Sequence, residues 1–108
     1  MRLEQIALDP LDGAPGVTIG RLTPGTSPEG VRVHVAVIQP GASLPRHPAG
    51  REQVFYVVSG RGRVAAEDDV AVEITAGWAA VWDAGEHHTS WAETEMTVAI
   101  IQRAPIGA

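Results

Sequence analysis

One hundred and eight residues leave room for one domain, expected to span 1–108, and no second core. Eight basic residues against thirteen acidic ones give a net charge of −5, which weighs against nucleic acid or an anionic membrane as a partner. Every basic residue is arginine and cysteine is absent, which removes lysine chemistry, thiol nucleophiles, disulfides and thiolate metal sites.

Along the chain, helix signals are scarce. Eight prolines interrupt it, and no apolar set recurs at helical spacing over a useful length. Residues 3–8 and 17–22 are candidate strands between loops rich in Pro, Gly and Asp. The clearest alternation follows at 31–38: Val31, Val33, Val35 and Val37 form one face, and Arg32, His34, Ala36 and Ile38 the other. His34, opposite the valine stripe, reads as a surface or interface residue. Pro40-Gly41 ends this strand. Residues 54–58 are apolar on both faces, which predicts a strand covered on two sides. Gly60-Arg61-Gly62 reads as a turn, and 63–66 with 70–74 as a hairpin around the acidic turn Glu67-Asp68-Asp69. Residues 78–82, 88–92 and 96–102 supply three more strands. Short strands at regular spacing predict an all-β sandwich or barrel.

Site chemistry falls to the four histidines, His34, His47, His87 and His88, which titrate near neutrality and ligate metals. In an extended stretch His87 and His88 point to opposite faces, so at most one of them enters a pocket. Arg61 and Arg63 share a strand face, as a solvated face would. No apolar run reaches the ~20 residues of a membrane span. Arg2 and Glu4 near the start do not read as a secretion signal, so a cytoplasmic protein is expected.

Two glycine–histidine segments carry the strongest pattern. The first, residues 41–60, runs from Gly41 through His47, Ala49 and Gln53 to Gly60; the second, residues 77–88, runs from Gly77 through Asp83 and Gly85 to His88. Together they resemble the two motifs of the cupin family. The resemblance implies a double-stranded β-helix, or jelly-roll, barrel whose motif side chains converge on a metal in its mouth. Position by position it gives His47 the first histidine place, Gln53 the glutamate place and His88 the histidine place of the second motif. Ala49 stands where the second histidine belongs, with His34 as a remote replacement for that missing ligand, and Asp83 where the family has proline. His47, Gln53 and His88 are thus the candidate ligands of a divalent ion (Fe, Zn, Mn or Ni), with Glu52 or Glu86 as a possible carboxylate. Phe55, Trp78 and Trp82 are candidates to line the pocket.

Three functions follow as expectations. One is a cupin that binds a small molecule, another a metal-dependent oxygenase or isomerase, and the third a barrel with a vestigial pocket. A domain this small buries only about 60–65% of its unfolded surface, and a homodimer covering apolar strand faces is expected.

Overall fold

The computed structural model describes residues 1–25 and 29–104, and among them there is no helix. No helix is therefore long and apolar enough to cross a membrane. Ten strands run in chain order: β1 Asp9–Pro10, β2 Val17–Arg21, β3 Arg32–Ile38, β4 Ser43–Pro48, β5 Glu52–Ser59, β6 Arg61–Ala65, β7 Val72–Thr75, β8 Ala79–Trp82, β9 His87–Ala92 and β10 Met96–Arg103. They form a six-stranded sheet in the order β1-β2-β3-β10-β5-β8 and a four-stranded sheet in the order β4-β9-β6-β7. All pairings are antiparallel. The two sheets close as a jelly roll over one core that includes Ile38, Phe55, Val57, Met96 and Val98.

Inner and outer faces follow from alternation. On β3 the face of Arg32, His34, Ala36 and Ile38 turns inward, with Ala36 and Ile38 fully buried. Of the valine stripe, Val33, Val35 and Val37 lie outside and half-buried, and Val31 is exposed. His34 is therefore a half-buried inner-face residue, where the alternation alone reads it as a surface or interface residue. The same alternation splits the apolar run on β5. Phe55 and Val57 are buried, while Tyr56 is 40% and Val58 53% exposed. Within one chain that strand is covered on one side only.

Local differences from the sequence reading have physical causes. The expected turn at 60–62 is Gly60 alone, where the chain leaves one sheet for the other at φ +84°. Gly62 lies within β6 because that strand passes very close to β9, and a β-carbon there would run into the Trp91 carbonyl oxygen. Residues 3–8 form no strand, and only Asp9–Pro10 pair with β2. β4 is a strand despite Pro45 and Pro48. It lies at the edge of its sheet, where a missing N–H costs least, and its register shifts between Leu44 and His47.

Candidate functional site

The shift in β4 positions the site. Leu44 is opposite Ser90 and His47 opposite His88, so three residues of β4 span two of β9. This one-residue bulge changes the parity of the strand. Leu44 is buried in the core, and a regular strand would then send His47 outward. The bulge instead brings the His47 ring within 4.2 Å of the His88 ring. Beside it, β5 places Gln53 on the inner face, 4% exposed and directly opposite Trp82 of β8.

His88 is the centre of this group. Its side chain is 2% exposed, and its ring stacks on Trp82 at 4.4 Å and 25°. Trp82 in turn meets Phe55 edge-on at 5.7 Å, so the aromatic stack is anchored in the core. Nδ1 of His88 faces the Glu86 carbonyl at 3.4 Å, whereas its Nε2 is buried with no hydrogen-bond partner among the described residues. Nδ1 of the exposed His47 donates to the Pro45 carbonyl at 2.7 Å. A carbonyl only accepts, so a proton is assigned to Nδ1 of each ring, and in neutral His88 this leaves Nε2 with a lone pair. Burial pushes the His88 pKa below the ordinary histidine value, and the neighbouring His47 adds to the effect. Burial thus favours the neutral, acceptor-bearing form of His88.

The other residues suggested by the sequence lie elsewhere. Glu52 points to the outer face and pairs with Arg103 at 3.1 Å. Glu86 closes the turn before β9, its Oε1 accepting from the Asp83 N–H at 3.0 Å. His87 faces away from His88; its N–H and ring both bond Glu67, and this holds the Glu67 carboxyl below the usual carboxylate range. Trp78 is 69% exposed. With Trp82 it lines a groove of about 560 Å³ between the free edges of β7 and β8. Arg61 pairs with Glu93 at 3.3 Å, and Arg63 lies 5.8 Å over Trp91.

The donor set does not fit a divalent metal centre. Among the described residues no three His, Cys, Asp or Glu side chains come together. A catalytic zinc or iron site takes about three such ligands. Here the candidates are two imidazoles and the neutral amide of Gln53, the buried Ala49 occupies the place of a further histidine, and the carboxylates of Glu52 and Glu86 are engaged elsewhere.

The structure also adds residues that the sequence reading left out. Gln102 is opposite Arg32 on one side and Gln53 on the other, so Arg32, Gln102, Gln53 and Trp82 form one inner-facing row. The next row begins Arg21, His34 and Ile100. The alternation of β3 carried this signal, because it put Arg32 and His34 on the same face as Ile38.

Comparison with known proteins agrees with this architecture. The family model described as "Cupin domain" matches residues 34–101, more than half of the chain. Among solved structures, an RmlC-like cupin from Shewanella frigidimarina aligns with a TM-score of 0.79 at 19% identity, over 95% of this chain and 87% of its own. The polyketide cyclase RemF from Streptomyces resistomycificus aligns with a TM-score of 0.80 at 18% identity, over 97% and 80% respectively. A variant oxalate decarboxylase from Bacillus subtilis aligns with a TM-score of 0.73 at 19% identity, over 82% of this chain and 26% of its own. A search of curated proteins finds no match.

Proposed function

The chain belongs to the cupin family, and we propose that it binds a small organic molecule in the mouth of its barrel, at the His47–His88 pair. The observation that carries this reading is Nε2 of His88. A buried polar atom without a partner costs about 1–3 kcal/mol, and a ligand donating a hydrogen bond to it recovers that cost on binding. The exposed His47 ring covers the approach, and its displacement gives a ligand access to His88 and to the face of Trp82. We further propose that a second copy of the chain covers the outer face of the six-stranded sheet.

A thermal-shift screen of small acids, phenols and sugars tests the binding reading. A ligand at one hundred times its dissociation constant adds about 2.7 kcal/mol of stability. That gain is expected in the native protein and is lost in His88→Phe, where an apolar ring of similar shape keeps the stack on Trp82. Elemental analysis of untagged protein supplies the opposing outcome. One metal ion per chain that disappears in a His47→Ala, His88→Ala variant overturns the reading in favour of a metal-dependent enzyme.

A further inference from the structure

The arginines of this chain are not equally engaged. Arg2, Arg46, Arg61 and Arg103 form ion pairs. Arg51 bonds the Gly30 carbonyl, and Arg63 covers Trp91. The exposed Arg21 and the half-buried Arg32 form no ion pair among the described residues, and both flank the half-buried His34, Arg21 as its partner on β2 and Arg32 two residues before it on β3. In a chain of net charge −5, this is a local excess of positive charge. Burial first, and then the charges of Arg21 and Arg32, hold the His34 pKa below its ordinary value. Arg21 shares a surface hollow with Glu4 and Asp9 without pairing to either. The inner positions of the two rows, from Arg32 to Trp82 and from Arg21 through His34, Ile100 and Phe55 to Ala80, hold no carboxylate.

The other end of the row has the opposite need. Trp82 stacks on His88, whose buried Nε2 is an acceptor without a donor. Three strand spacings separate the two ends, roughly 14 Å from β3 to β8, and the arginine side chains shorten the gap. Between them Gln102 and Gln53 offer amides that both donate and accept. We infer that the barrel mouth binds a small organic acid with a hydrogen-bond donor remote from its carboxylate, Arg32, His34 and Arg21 holding the carboxylate and Nε2 of His88 receiving the donor. This rests on the ligand-binding reading of the His47–His88 pair and names the class of molecule.

Three probes of one shape test it: 4-hydroxybenzoate, 4-hydroxybenzamide, which lacks the charge, and benzoate, which lacks the donor. Binding is read by NMR from the ring protons of His34 and His88 and the indole N–H of Trp82. The expected result is saturable binding of 4-hydroxybenzoate, with both other probes about tenfold weaker, since charge-assisted bonds exceed neutral ones. Arg32→Gln is expected to abolish the preference for acid over amide, while Arg63→Gln keeps it. If acid and amide bind equally at His88, or if Arg32→Gln leaves their ratio unchanged, the organic-acid assignment falls and the binding site stands. If none of the three shifts the His88 resonances, both readings fall.

Discussion

The His88 ring combines three costs and one gain. It is desolvated, one nitrogen is unpartnered, and a second imidazole lies 4.2 Å away, while its stack on Trp82 is favourable. Replacing it by phenylalanine keeps the stack and removes the unpartnered atom, so His88→Phe is expected to be about 1 kcal/mol more stable in urea unfolding at pH 7. Its pH dependence changes as well. The folded His88 pKa lies below the unfolded value, so below about pH 6.5 the unfolded chain takes up a proton that the folded ring refuses. Stability is full above that pH and declines as pH falls towards the folded pKa, by at most ~1.4 kcal/mol per pH unit for each such proton. His34 shifts the same way, so the variant retains His34's part of the decline and loses that of His88. An equal decline in both proteins would refute this account. Ala49 gives a complementary test. It is buried, two residues from His47, with its N–H bonded to the Glu86 carbonyl at 2.9 Å. Ala49→His with Gln53→Glu is expected to bind one Ni²⁺ or Zn²⁺ per chain, at least about a hundredfold more tightly than the native protein in calorimetry.

Among the elements, the barrel depends on close approaches that only glycine permits. Gly62 faces the Trp91 backbone across the β6–β9 pairing, and a methyl group there would force the strands apart. Gly62→Ala is therefore expected to cost ~2 kcal/mol in chemical denaturation, as overpacking does, and a cost below about 0.5 kcal/mol would show that β9 yields freely. These elements also show how far the sequence could be read. Alternation located β3, β5 and β10, and the glycine–histidine spacing indicated the jelly roll, because both signals are local. The β4 bulge was hidden by its prolines, since proline removes a donor without revealing whether the strand lies at an edge. The loss of Glu52 and Glu86 to other partners was equally hidden. Arg103 lies 51 residues from Glu52, and no spacing rule links them. The hairpin of β6 and β7 was expected in the right place, although its strands begin and end two residues or fewer from the expected bounds.

At the scale of the whole molecule, the outer face of the six-stranded sheet is the least satisfied surface. Successive rows across it read Val35, Ala99, Tyr56, Ala79 and Val33, Ile101, Val54, Val81. Val58 and Val81 remain 53% and 54% exposed. Charged residues are missing from these rows, and a second copy can bury them against their own equivalents. Four strands of about five residues give a flat footprint of roughly 300 Å², short of the ~800 Å² that each partner contributes to a stable interface. The first eight residues can supply the difference. Ile6 and Leu8 already lie beside Gly20 at the rim of this face, and Met1 and Leu3 are exposed. The native protein is therefore expected to be a dimer by light scattering at micromolar concentration, and Val58→Glu to be a folded monomer because association through this face would bury an unpaired carboxylate from each copy. Deleting residues 1–5 is expected to weaken association about tenfold without unfolding the barrel, since those residues belong to no strand. A native monomer, or a Val58→Glu dimer as tight as the native one, would place the outer face in solvent. The loss of apolar surface from water on dimerisation is also what would let so small a barrel tolerate the unpartnered nitrogen at its centre.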